Sequence, residues 1–210
     1  MKYTLFALLS LTVLTACSDL ERVEVKDANG VVTERYSRRK SDYAREGKFE
    51  KFSASGIKVQ EANYANDLLE GQRTIFWDNG KPQYIEHYRG GQFEGVYQAF
   101  HENGKMKLEG HYVAGEMTGT WKGYYDNGQL KEVVNFEQNQ ENGPFTEYYP
   151  DGKLKAEGAY LDGDNEHGEL KLYDSTGTLT RRMMCDRGIC HTVWQADTTQ
   201  TTRIDTLSTH

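Results

Sequence analysis

The sequence predicts an all-β protein, an elongated and twisted antiparallel sheet of repeated β-hairpins about 24 residues long. Three observations predict it. Glycines Gly56, Gly80, Gly104, Gly128 and Gly152 lie 24 residues apart, Gly177 follows at 25, and a second set, Gly47, Gly71, Gly95, Gly119, Gly143 and Gly168, precedes each of them by nine. Aromatic residues keep the same step, from Phe52 through Phe76, Phe100, Tyr124 and Tyr148 to Tyr173, and from Tyr64 through Tyr88, Tyr112 and Phe136 to Tyr160. Between these positions residues alternate with the period of two that a strand imposes, and past the N-terminal apolar stretch no helical period is sustained.

Composition agrees with a thin sheet. Only 37% of the 210 residues are hydrophobic, while 21 glycines and 14 tyrosines suit turn-rich, half-solvated strands better than a thick core. A net charge of −7 argues against nucleic acid as a partner, because phosphate binding needs clustered Lys and Arg.

The first element is a leader. Met1-Lys2 supplies a minimal positive start, and Tyr3 to Val13 is apolar but too short to span a bilayer as a mature helix. "LTAC", Leu14 to Cys17, resembles the lipobox of bacterial lipoproteins. That resemblance implies a signal peptide over 1–16, lipidation of Cys17 and attachment to the membrane through acyl chains. Ser18 after the cysteine implies, by the same resemblance, a lipid-anchored place in the bacterial cell envelope, at the outer membrane. Residues 17–46 then read as lipidated N-terminus, linker and a degenerate capping hairpin turning at Asn29-Gly30.

Residues 47–194 form the repeat domain. Asn79-Gly80, Asn103-Gly104 and Asn127-Gly128 predict two-residue type I′ turns, with Asp151-Gly152 close behind. Folding on these turns puts Trp77 opposite Pro82, His101 opposite Met106, Tyr125 opposite Leu130 and Tyr149 opposite Leu154. Further from the turn, Arg73 faces Glu86, and Tyr97 and Phe145 lie over Gly110 and Gly158 on the same, core-bearing face. The other face pairs Phe100 with Lys107, Tyr124 with Lys131 and Tyr148 with Lys155, flanked by Gln98/Glu109 and Thr146/Glu157. One residue beyond the period falls between Gly152 and Gly168, in the acidic connection "LDGDNEHG". Near the end, "CDRGIC" predicts a disulfide between Cys185 and Cys190 closing a hairpin at Arg187-Gly188, and 195–210 is a polar, Thr-rich tail.

The pattern G-x-W-x-x-Y-Y-x-N-G-x-L-K-x-E, followed by Tyr and Gly, resembles the MORN-repeat group, and most of all its bacterial variant, the YwqK-type antitoxin family. The resemblance covers about residues 47–173 and is strongest from Gly71 to Tyr160. It implies an elongated antiparallel sheet used for binding or scaffolding, without a shared catalytic site.

The chemistry points the same way. The sequence has no G-x-S-x-G, H-E-x-x-H or G-x-x-x-x-G-K-[ST] motif, and its carboxylates recur with the repeat as solvated strand residues. No enzyme and no cofactor are expected. His87 and His111 sit at equivalent places in successive hairpins, about 10 Å apart at ~4.8 Å per strand, too far to share one metal ion. The Asp162 segment departs from a calcium loop at His167 and Tyr173. The candidate binding face is therefore Phe76, Phe100, Lys107, Tyr124, Lys131, Tyr148 and Lys155. Its partner is either an envelope protein, a toxin among the candidates, or a cell-surface glycan.

Overall fold

A computed structural model describes residues 19–197; the leader, Cys17 and most of the Thr-rich tail lie outside them. Every described element is a strand or a turn, and all strands join one antiparallel sheet of 17. In chain order they are β1 (Leu20–Lys26), β2 (Val32–Arg39), β3 (Arg45–Phe52), β4 (Lys58–Ala65), β5 (Leu68–Leu69), β6 (Gly71–Phe76), β7 (Pro82–Arg89), β8 (Gln92–Phe93) and β9 (Gly95–Phe100). Then follow β10 (Met106–Val113), β11 (Glu116–Tyr124), β12 (Leu130–Glu137), β13 (Gln140–Tyr148), β14 (Leu154–Tyr160), β15 (Gly168–Tyr173), β16 (Leu179–Asp186) and β17 (Ile189–Gln195). β5–β6 and β8–β9 each act as one interrupted strand, β4 pairing with both β5 and β6 and β7 with both β8 and β9. So counted, pairing is between neighbours in sequence, and the sheet is an open meander whose two edges are β1 and β17.

The Asn-Gly tips close differently from the sequence expectation. At the tip of β9–β10, Gly104 N–H donates to the His101 carbonyl at 2.8 Å and His101 N–H donates to the Lys105 carbonyl at 2.9 Å. Gly104 has φ +90° while Asn103 stays outside the left-handed region. This is a three-residue loop with glycine in the left-handed position, not a type I′ turn. The capping hairpin turns in the same way at Gly30, with Asp27 Oδ1 accepting from the amides of Asn29 and Val31. Two-residue turns with both residues at positive φ lie instead between the repeats, at Asn66-Asp67, Gly90-Gly91, Ala114-Gly115 and Gln138-Asn139, and again at Arg187-Gly188. Ala, Gln and Arg tolerate that backbone because its twist matches the flanking strands.

The different loop moves pairing at the tips by one residue. Phe100 pairs with Met106, Tyr124 with Leu130, Tyr148 with Leu154 and Phe76 with Pro82. A bulge then restores the register, and the residue it leaves over is Lys107, Lys131 or Lys155. The pairs further along the strands therefore stand as expected: Gln98–Glu109, Tyr97–Gly110, Arg73–Glu86, Thr146–Glu157 and Phe145–Gly158.

Asn at the tips serves to stitch neighbouring repeats. Asn79, Asn103 and Asn127 each accept the amide two residues on, then donate Nδ2 to the carbonyls of Glu102, Asp126 and Pro150 in the next repeat at 2.8–2.9 Å. Two residues before each of these asparagines, Trp77 donates to the Phe100 carbonyl and Tyr125 to that of Tyr148, while His101 Nε2 lies 3.0 Å from the Tyr124 carbonyl oxygen.

One face carries the core. Phe49, Trp121, Val134, Phe145, Ala156, Leu170 and Cys185 are buried on it, yet no large side chain among the described residues is less than 2% exposed. That is what a sheet without a second layer can achieve. Aromatic contacts run along it, Tyr97 to Trp121 at 5.6 Å, Trp121 to Phe136 at 6.0 Å, and Phe145 to Tyr160 at 4.2 Å. Phe145 covers Gly158 as expected, but the ring closest over Gly110 is Trp121 of the next strand. The additional residue of the last period is absorbed in the connection 161–167, where Leu161 N–H donates to the Asn165 carbonyl.

These two uses of glycine give separable outcomes. Gly110→Ala places a methyl inside the Trp121 ring and is expected to cost about 2–4 kcal/mol by denaturant unfolding. Gly143→Ala meets nothing within 4 Å and forfeits only its φ of +88°, about 1–2 kcal/mol. Asn103→Gly, neutral if the residue merely supplied a turn, is expected to cost about 1 kcal/mol through the lost stitch to Asp126.

Candidate functional site

The structure separates the residues of the expected binding face. Phe76, Phe100, Tyr124 and Tyr148 are half-buried at the strand ends, and none pairs with a lysine of its own hairpin. Tyr124 turns to the face away from the core and donates its hydroxyl to Glu109 Oε1 at 2.7 Å. The bulged Lys155 instead reaches Glu147 at 2.7 Å and lines a cleft with Phe145 and Ala156 on the core-bearing face. Lys131 lies 3.4 Å from Glu132, whose carboxylate rests against the bare Cα of Gly123. A bulge sends its extra residue to the same side as the next one. Phe/Tyr–Lys stacking is thus replaced by a split, with the Tyr124 ring on one face and the Lys131 and Lys155 ammonium groups on the other. Cation–π contacts occur elsewhere, Arg45 over Tyr64 at 4.2 Å and Lys58 over Phe76 at 5.6 Å.

A cleft of about 650 Å³ lies between the fifth and sixth hairpins of the array. Buried Phe145 and Leu170 line it with Tyr149 and Tyr160, and the cations Lys155 and Arg181 share it with the carboxylates of Glu147, Glu166 and Asp174. Ala156, small where the preceding hairpin carries Glu132, leaves room for it. Arg181 is half-buried there, and among the described residues it has no hydrogen bond or ion pair. Sequence reasoning missed it, although Arg181 occupies the repeat position filled by Leu108, Glu132 and Ala156 in earlier hairpins and is the first cation there.

Burial dominates the titration of the aromatic face. The Tyr97 and Tyr160 phenols are pushed up to about 12 by burial and then by neighbouring tyrosines or carboxylates. Tyr124 is pushed up to about 12 by burial and by its hydrogen bond to Glu109. Glu141 is raised by burial and by Asp164 and Glu132, whereas Glu157 is held low by hydrogen bonds from Lys171 and Tyr173.

Cys185 and Cys190 are joined by a disulfide across the last hairpin. His87 Nδ1 lies 2.8 Å from the Val96 carbonyl, and Asp162 and His167 face Arg187 and Asp186. Among the described residues no three His, Cys, Asp or Glu side chains are grouped to hold a metal ion.

An open meander of like hairpins, stitched tip to tip, defines a β-hairpin repeat protein. The MORN repeat variant pattern matches residues 45–66, 69–89, 93–114, 117–138 and 141–162, and the chain belongs to that family. Each match spans one hairpin, from two residues before a positive-φ glycine (Gly47, Gly71, Gly95, Gly119 or Gly143) through the glycine-containing tip to the end of its second strand or the start of the connection that follows. The hairpins before and after the five matched units keep the same geometry. Repeats of this family often serve as protein- or membrane-binding modules. No curated protein matches the chain.

The raised phenols give a pH dependence with a definite sign. A tyrosine whose folded pKa exceeds the ordinary 10 contributes stability that is present below pH 10 and lost as pH rises through about 12. The denaturant midpoint is expected to fall between about pH 9 and about pH 11.5, and to fall less in Tyr97→Phe and Tyr160→Phe.

Proposed function

We propose that the protein is a non-catalytic module of the bacterial cell envelope, anchored by acyl chains on Cys17, that binds or scaffolds another protein. The anchor rests on the "LTAC" segment, which lies outside the described residues. The observation that carries the binding role is the cleft at Arg181: a half-buried guanidinium with no ion pair among the described residues, although Glu147, Glu166 and Asp174 line the same cleft, set beside aromatic rings and open to solvent. An unpaired, partly desolvated arginine beside tyrosines has the composition of an interface hot spot, and a carboxylate from a partner would complete it. A toxin reaching the envelope is one such partner, and the antitoxin likeness then describes an immunity role. A sugar polymer of the cell surface is the second reading, favoured by Tyr149 and Tyr160, on which pyranose rings could stack.

Photo-crosslinking from Tyr149 in intact cells tests both. A protein partner captured by the natural chain and reduced at least about tenfold by Arg181→Glu supports the proposal. Retention on purified peptidoglycan or surface polysaccharide, lost in Tyr160→Ala, with no crosslinked protein, would transfer the role to the glycan. Labelling by a palmitate analogue is expected for the natural chain and absent from Cys17→Ala.

A further inference from the structure

The two edges of the sheet are unlike. At the first edge, four of the seven residues of β1 are charged, and Glu21 and Glu24 are paired with Arg38 and Arg35 of β2 at 2.6 and 3.0 Å. Charges of this kind protect an exposed strand from pairing with another. The last edge lacks this protection. β17, "ICHTVWQ", contains no Asp, Glu, Lys or Arg in a chain of which 27% is charged. Six of its seven residues are exposed, with Ile189 at 80%, Val193 at 51% and Trp194 at 42%, and Met184 of β16 beside them at 43%. It pairs only with β16 among the described residues, so its outer row of backbone groups has no partner strand. The Cys185–Cys190 disulfide fixes it in extended form against β16.

We propose that β17 is an association edge and that its occupant is β17 of a second copy, related by a two-fold axis. Such an axis runs the two strands antiparallel, the pairing mode of every other neighbour in this sheet, and continues the ladder from one molecule to the next. Charge favours this occupant. Two copies carrying −7 each repel, and the strand free of fixed charge is where they can approach most closely. β1 fits less well, since Glu21, Arg22, Glu24 and Lys26 would be brought against Ile189, Val193 and Trp194. A β1–β17 contact would also be head to tail and would not close after two molecules. Two-fold pairing of β17 closes the edge, covers its apolar residues and leaves the Arg181 cleft of each copy on the face of a longer sheet.

The test is sedimentation velocity over about a hundredfold range of concentration, using the full chain as Cys17→Ser so that no acyl group contributes. A monomer–dimer equilibrium is expected, weakened at least about tenfold by Val193→Lys or Ile189→Lys. Hydrogen exchange on the unsubstituted edge supplies a readout that needs no variant, since β17 amides are expected to exchange more slowly as concentration rises. A monomer throughout with unchanged β17 exchange overturns the proposal, as does a dimer indifferent to both lysine substitutions. A chain ending at Asp197 that dimerises when the full chain does not overturns it too, by assigning the edge to residues 198–210. Open-ended growth beyond the dimer assigns it to a head-to-tail contact instead.

Discussion

A sheet one layer thick has nothing to pack against except itself. Its stability must come from contacts between neighbouring hairpins, and this constraint explains the regular spacing of residues along the chain. Trp121 leans across a hairpin boundary onto Gly110, and Leu170 onto Gly158. Asn79, Asn103 and Asn127 reach from one tip to the next, as do the side chains of Trp77 and Tyr125. Each of these contacts works only when the next unit arrives at the same offset. The 24-residue step is therefore a mechanical requirement, and the single extra residue is tolerated where a connection can bow outward, between Tyr160 and Gly168.

The same requirement limits what the array can do chemically. Aromatic rings that hold neighbouring hairpins together are committed to that role and are half-buried, with their phenols pushed to high pKa. Where a repeat departs from its predecessors, space appears. Ala156 opens a hollow that the next hairpin lines but does not fill, and Arg181 enters it with no ion pair among the described residues. In a repeat protein the informative residues are the ones that break the pattern, because those that keep it are accounted for by packing.

Much of this was legible in the sequence. The phase of the glycines and aromatics established the architecture, and strand pairs away from the tips, such as Gln98–Glu109 and Phe145–Gly158, follow from counting outward from the turns. The tips were misread for a physical reason. Asn-Gly suits a two-residue turn and also a three-residue loop with glycine in the left-handed position, and pairing preference alone does not separate them. The turns that do place both residues at positive φ fall at Ala114-Gly115 and Gln138-Asn139, where sequence gives little hint. That one-residue difference, undone by a bulge, is what moved Lys131 and Lys155 off the tyrosine face. Arg181 could have been singled out as the first cation at its repeat position, but that its guanidinium has no ion pair among the described residues depends on its neighbours in space.

If lateral contact between equivalent hairpins is what holds the molecule together, whole units should be removable. The most direct measurement is solution scattering on a chain lacking residues 93–116, a deletion that keeps every glycine in phase. The account predicts a folded, β-rich protein whose maximum dimension is shorter by about 10 Å, two strand spacings. A shortened chain that fails to fold, or one that folds without becoming shorter, would contradict it.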